Sequence, residues 1–230
     1  MYLIYDVAKY FNCIEPLENK KILDFGCNHA NFLRFGFSGD YTGIDVDKNI
    51  IEQNKKDFPE YNFIHFDAHN NQYNISNKSV DIPLEEKYDL ICAFSVFTHT
   101  CFEEYESTVK NLKTHLSNDG AILTTFIDIS DKENIEKMLA YRSDLFSNID
   151  VEEFFAKIKS CYTVTIAIRM FDKLTNIYYN KTHIPDYNTP TYFITLYKSN
   201  WLEHNLKGKV VDVTDMFDDI RGAQKCLLIK

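Results

Sequence analysis

The sequence predicts an α/β fold built on a doubly wound, mostly parallel sheet with helices on both faces. Three observations carry that prediction. Strand-like and helix-like segments alternate through the first 130 residues, and a chain that alternates in this way builds a parallel sheet. The apolar run KILDF (21–25) leads directly into a turn at Gly26. The next apolar run closes on an acid, Asp45, 19 residues beyond that glycine.

The elements follow in order. KILDF has the composition of a short strand buried on both faces. YTGIDV (41–46) is the second strand, and KNIIEQNKKDF (48–58) is a helix with Asp47 placed to cap it. YNFIHFDA (61–68) and YDLICAF (88–94) are the third and fourth strands. CFEEYESTVKNLKTHL (101–116) is an amphipathic helix, because Tyr105, Val109, Leu112 and Leu116 recur at spacings of three and four. SNDG (117–120) is expected to stop that helix, with Gly120 in the left-handed conformation. AILTTFIDI (121–129) is the fifth strand.

Residues 130–189 depart from this rhythm. DKENIEKMLAYRSDLF and VEEFFAKIKS are helical, YTVTIAIRMF is strand-like, and NIYYNKTHIPDYNTP is polar and aromatic. The stretch reads as an insertion that folds over the strand ends as a lid. TYFITLY (191–197) resumes strand character, SNWLEHNL (199–206) is a short helix, and GKVVDVTDMF and KCLLIK are strand-like. The division expected is a binding core over 1–129, a lid over 130–189, and terminal strands over 190–230.

Composition narrows the function. The 230 residues carry a net charge of −9 and 45% hydrophobic residues. That suits one domain with an ordinary core and argues against a polynucleotide partner, which needs a basic face. The six cysteines form no C-x-x-C pair, so no metal site is expected. The start, MYLIYDVAKYFNC, lacks the pattern of a secretion signal, and no run reaches the roughly 18 apolar residues of a membrane helix. A cytoplasmic protein with reduced thiols, acting on a small molecule, is the expectation.

Candidate binding residues gather at the strand ends, where ligands lie in such sheets. Gly26 opens a strand-to-turn-to-helix stretch, GCNHANF, in which backbone N–H groups can meet an anionic or polar ligand. Asn28 and Ala30 stand where glycines are usual in cofactor turns. Asparagine is the side chain best able to adopt positive φ, and alanine is small enough for close packing. With Asp47 reserved as the helix cap, Asp45 is available for ribose hydroxyls. Asp67 closes the third strand, and AFSVFTHT (93–100) follows the fourth, with His99 beginning the next segment.

Together and in order, these stretches resemble the class I S-adenosylmethionine (SAM)-dependent methyltransferases. LDFGCNHANF is similar to the family's first motif, D-x-G-C-G-x-G, YTGIDVDK to the second and FIHFDA to the adenine-contacting one. YDLICAFSVFTHT with LKTHLSNDGAILTTF is similar to the fourth and fifth segments. The resemblance implies a Rossmann-like, seven-stranded sheet with one antiparallel terminal strand, SAM as cofactor and S-adenosylhomocysteine as product. It places Asp24, Gly26, Cys27, Asn28 and Ala30 at the methionine end. Asp45 and Val46 fall at the ribose, Asp67, Ala68 and His69 at the adenine, and Phe94 and Ser95 beside the sulfonium.

Several subclasses lack their signatures. AFSV stands where adenine-N6 enzymes carry N/D-P-P-Y/F, Cys92 follows Ile91 rather than a proline, and Glu103 and Glu104 sit within a helix as a solvated pair. A small-molecule acceptor remains, with a hydroxyl of a sugar or nucleotide-linked sugar, in surface glycan biosynthesis, as the preferred class. His99 is the expected general base, with Asp128 behind it. Tyr178, Tyr179, His183 and Tyr187 are candidates to face the acceptor. The alternatives are N-methylation of a small metabolite, a methyltransferase-like scaffold without catalysis, and a nicotinamide-dependent oxidoreductase, the last disfavoured by Asn31 at the third glycine position. The oligomeric state is not legible.

Overall fold

A computed structural model describes residues 17–34, 36–70, 81–141, 143–147, 149–184, 191–211 and 224–230. Cys13, Tyr187 and the opening segment lie outside the described residues. The chain runs β1 (Lys21–Phe25), α1 (Asn31–Arg34), β2 (Asp40–Asp45), α2 (Lys48–Asp57), β3 (Asn62–His65) and β4 (Tyr88–Ala93). A 3-10 turn (Phe97–His99) precedes α3 (Phe102–Lys113) and β5 (Leu116–Asp128). Then come α4 (Lys132–Tyr141), α5 (Ser143–Phe146), α6 (Val151–Ile158), β6 (Thr163–Arg169) and β7 (Thr175–Tyr179). The last elements are β8 (Thr191–Tyr197), α7 (Ser199–Leu206), β9 (Gly208–Val211) and β10 (Gln224–Ile229).

Among the described residues the strands form one sheet of ten, not the seven expected. Strands β3, β2, β1, β4 and β5 lie side by side and parallel. Beyond β5 the sheet forks. Antiparallel β10 runs along β5 from Gln224 opposite Ile127 to Ile229 opposite Ile122, and β9 flanks β10. Parallel β8 joins only the last two residues of β5, where Ile127 meets Leu196 and Asp128 meets Tyr197. Strands β6 and β7 continue from β8 in antiparallel order. The branch through β10 to β9 has the seven strands and the antiparallel member of the expectation; the branch through β8 adds three.

The segment read as a lid therefore extends the sheet. Val164, Ile166 and Ile168 of β6 pack with Ile194 and Leu196 of β8 against Ile135, Phe154, Phe155 and Ile158 of the helices. Strand β7 escapes sequence reading because all five residues are half-buried, so no alternation of apolar and polar residues marks it.

Strand β5 also begins earlier than predicted. SNDG lies inside it, and Gly120 does not take a left-handed φ, which among the described glycines belongs to Gly26 and Gly36. A Cβ on Gly120 would lie 2.8 Å from the Tyr88 carbonyl oxygen, where the β4–β5 register shifts. Asp47 caps α2 as expected, its carboxylate accepting from Asn49 N and Ile50 N. Alternate residues of the central strands serve opposite faces: Leu23, Phe25 and Ile91 pack toward α3, while Ile22, Leu90 and Cys92 pack toward α1 and α2.

Candidate cofactor and acceptor site

The ends of β1, β2 and β4 meet around the Gly26 turn. Gly26 N and Cys27 N both donate to the Ile44 carbonyl, at 2.8 and 3.0 Å. This pins the turn to β2. Gly26 has φ 76°, and a Cβ there would lie 2.4 Å from Val96 Cγ2. The glycine is thus required by Val96, in the segment after β4, as well as by its own backbone. Asn28 and Ala30 also take positive φ, at 44° and 51°. For Asn28 this is the expected reason for its place; for Ala30 it adds to the predicted small size. The following helix α1 has only four residues, so it offers no long helix dipole, and the N–H groups of Gly26, Cys27, Asn28 and Ala30 already donate to Ile44, Asp45 and Cys27.

Asp24, near the end of β1, is only 5% exposed, and its carboxylate accepts a 2.8 Å hydrogen bond from Tyr41 Oη. Burial pushes its pKa up to about 7; the Tyr41 bond pulls the other way, and the Asp45 charge adds to the rise. Asp45 ends β2. One carboxylate oxygen accepts from Asn28 N at 2.9 Å and the other from Asp47 N at 2.9 Å, so it is aimed across the turn. Cys27 is buried, and burial raises its thiol pKa well above the usual range.

Asp67 lies two residues past β3 rather than within it. Its segment is held against β2, since Phe66 N donates to the Asp45 carbonyl at 2.9 Å. Val46, Ile64, Ala68 and Val96 each pack, partly buried, against the same core cluster, and Asp67 and His69 are half-buried. After β4, Phe94 stacks on Phe32 at 5.8 Å, and Ser95, at φ 57°, donates its N–H to Thr125 Oγ1 at 2.7 Å. The structure thus brings all the cofactor candidates to one end of the sheet.

His99 sits at the fork. Its Nδ1 lies 2.8 Å from the Phe193 carbonyl on β8, and its ring lies 5.1 Å from that of Tyr192. Asp128 is occupied differently. One oxygen accepts from Ser130 N at 2.9 Å, the other from Ser199 Oγ at 2.5 Å and Lys225 Nζ at 2.7 Å. Burial alone would raise its pKa, but Lys225, Ser199 and Ser130 hold it below the ordinary value. Asp128 therefore ties β5, α7 and β10 together and is a weak proton acceptor.

The other aromatic candidates separate. Tyr178 packs on the face with Cys101, Ala167 and Phe193, and Tyr179 on the opposite face with the helices, so the two rings do not line one pocket. His183 Nδ1 lies 2.6 Å from Glu103 Oε2. Glu104 accepts from Cys101 N at 2.8 Å at the start of α3. Glu103 thus stays on the exposed face expected of it, paired at the surface with His183, while Glu104 closes the start of α3.

Comparison with known proteins fits this geometry. The methyltransferase-domain family model matches residues 23–122. That stretch, under half of the chain, is similar to a methyltransferase domain. Over 99% of its length it overlays on 89% of the CcbJ methyltransferase from Streptomyces caelestis, with a TM-score of 0.54 and 7% identity. Over 98% it overlays on 80% of the magnesium protoporphyrin IX methyltransferase from Synechocystis PCC 6803, solved with S-adenosylhomocysteine, with a TM-score of 0.52 and 12% identity. A glycopeptide N-methyltransferase, MtfA, solved with S-adenosylhomocysteine, gives a TM-score of 0.52 at 9% identity over 97% of this chain and 87% of its own. At these identities the likeness is one of fold. No curated protein matches the sequence.

Sequence reasoning missed the supports of the turn. Asn54 on α2 is fully buried and donates from Nδ2 to the Asn28 carbonyl at 2.6 Å. Arg34 donates from Nε to the His29 carbonyl at 2.7 Å and pairs with Asp57 at 2.6 Å. A polar residue on the inward face of α2, next to Ile51, was the available signal for Asn54. Among the described residues no His/Cys/Asp/Glu cluster could hold a metal ion, and no helix is long and apolar enough to cross a membrane.

Proposed function

We propose that this chain transfers a methyl group from SAM to a hydroxyl of a small-molecule acceptor, with a sugar or nucleotide-linked sugar as the acceptor class. The observation that carries the hydroxyl reading is the His99 Nδ1 contact with the Phe193 carbonyl, 2.8 Å. A carbonyl oxygen only accepts, so Nδ1 carries a proton, and in the neutral form of the ring Nε2 is the nitrogen with the lone pair. A neutral imidazole in that tautomer can take the proton of an acceptor hydroxyl as it attacks. Asp128, held below the ordinary range by its partners, is a positioning group for the β5 end.

The residues at the strand ends fit the cofactor. Asp24 is costly to ionise in its buried place, and a cationic amino group beside it would offset that cost. In this reading Asp24, Gly26, Cys27, Asn28 and Ala30 hold the methionine end. Asp45 and Val46 hold the ribose, Asp67, Ala68 and His69 the adenine, and Phe94 and Ser95 border the sulfonium. When bound, SAM supplies an activated methyl group and leaves as S-adenosylhomocysteine. The chain's own contribution is alignment and exclusion of water. The sugar class rests on elimination: nucleobase and arginine signatures are absent, and the charge of −9 argues against a polynucleotide. Surface glycan biosynthesis and a cytoplasmic location, which the buried free cysteines suit, belong to the same proposal.

The test is turnover of SAM with a panel of sugars, nucleotide-linked sugars and small amines, reading S-adenosylhomocysteine and the mass and site of the methylated product. An O-methylated sugar is expected, with His99→Ala lowering kcat about 10²- to 10⁴-fold at unchanged S-adenosylhomocysteine affinity. An N-methylated product, or an unchanged kcat in His99→Ala, overturns the hydroxyl reading. Cofactor binding without turnover on any acceptor brings the scaffold alternative forward.

A further inference from the structure

Two glycines common in the first turn of the family this chain resembles are Asn28 and Ala30 here, and both sit in the left-handed region, at φ 44° and 51°. Residues with a side chain avoid that region unless the surroundings impose it. Asn28 is gripped at both ends of its backbone. Its N–H donates to Asp45 Oδ2 at 2.9 Å, and its carbonyl accepts from Asn54 Nδ2 at 2.6 Å. Asn54 comes from α2, and the same amide group lies 3.8 Å from Cys27 Sγ.

The other half of the Asn54 side chain makes the case. Asn54 is 0% exposed, and its Oδ1 is buried with no hydrogen-bond partner among the described residues. A buried amide oxygen left unsatisfied is destabilising. A side chain there for packing alone would be apolar, like its helix neighbour Ile51. What the asparagine brings in exchange is the hold on the Asn28 carbonyl. The companion tether through Arg34 and Asp57 lies largely in solvent, where such pairs contribute little.

We infer that Asn54 is a positioning residue for the cofactor. Its Nδ2 donor fixes the Asn28 peptide in the left-handed turn, and the turn in turn fixes the Asp45 carboxylate through the Asn28 N–H. Helix α2 thereby supplies by constraint what a glycine at position 28 would supply by conformational freedom. The inference rests on the SAM-site reading.

The experiment is a double-mutant cycle read by calorimetric titration with S-adenosylhomocysteine, on the wild-type chain, Asn54→Ala, Asn28→Gly and the double variant. Asn54→Ala should weaken binding ten- to thirtyfold. Asn28→Gly changes a residue of the turn itself and so sets its own reference affinity; in its background Asn54→Ala should weaken binding less than threefold. Should Asn54→Ala not fold, Asn54→Asp, which keeps the size and loses the donor, takes its place with the same expectations. Wild-type affinity in the Asn54 variant overturns the positioning role and leaves the cofactor site standing. An equal loss in both backgrounds also overturns it, since Asn54 would then act without the turn. If the wild-type chain itself fails to bind S-adenosylhomocysteine, the cofactor reading falls and the inference with it.

Discussion

The two sides of the sheet use irregular backbone for different ends. On the β1–β2–β4 side, Gly26, Asn28, Ala30 and Ser95 take positive φ at strand ends that converge on the turn. On the β6–β7 side, Lys173 and Asn180 take positive φ only in the hairpin turn and just after β7, where the chain changes direction. Buried polarity divides in the same way. The first side carries a buried carboxyl, Asp24, whose pKa is pushed up to about 7. The second buries no carboxyl in its strands; Thr165 Oγ1 and Thr195 Oγ1 pair at 3.1 Å, the Thr163 hydroxyl is buried without a partner among the described residues, and the alternate residues Val164, Ile166 and Ile168 form an aliphatic face. Strain and uncompensated charge mark where a ligand is to be held; regular packing marks the platform beside it.

The largest expected effect tests the charge on the first side. The native pKa of Asp24, about 7, lies above its ordinary 3.8, so between those values the folded state keeps a proton that the unfolded chain has lost. Stability from this group is therefore greatest below about pH 4, falls as pH rises toward 7, and is level above that. The total is about 4 kcal/mol at 1.36 kcal/mol per unit. Asp24→Asn keeps an acceptor for Tyr41 and removes the slope. Urea unfolding of both cofactor-free proteins between pH 5 and pH 8 checks this, and parallel pH profiles would erase the contrast.

Next comes the platform. Ile166 is fully buried in the β6 face, and Ile166→Ala should cost about 3 kcal/mol of folding stability. Affinity of the folded protein for S-adenosylhomocysteine should stay within twofold. A large loss of affinity would show that the two sides are coupled through the fork at Ile127 and Asp128. The smallest effect sharpens the ribose assignment. Asp45→Ala should weaken S-adenosylhomocysteine binding by about 1.5–3 kcal/mol, the scale of a hydrogen bond to a charged group, or roughly ten- to a hundredfold. Unchanged affinity in calorimetry, with the fold intact, would move the ribose elsewhere.

Legibility followed range. Local chemistry could be read: the Asp47 cap, the α3 stripe of Tyr105, Val109 and Leu112, and the helix over 199–206 all form as expected. The order of acids at the strand ends could be read too, because each lies within or just after an apolar run: Asp24 in β1, Asp45 at the end of β2 and Asp67 two residues past β3. Gly120 was misassigned because a turn signal and a close strand contact both call for glycine, and only the Tyr88 carbonyl distinguishes them. The grips on the turn were illegible, since Asn54 meets Asn28 across 26 positions.

By itself, then, the sequence determined the parallel core, the turn at Gly26 and the residues available at the strand ends. Those follow from side-chain periodicity and backbone preference, which act over a few neighbours. Only the tertiary structure decided that the sheet forks at β5, that Asp128 is bound to Lys225 and Ser199, and that His99 is anchored by Phe193. Each of these is a contact between segments distant along the chain, set by how strands pair and which buried polar atoms find partners, and no local pattern encodes it.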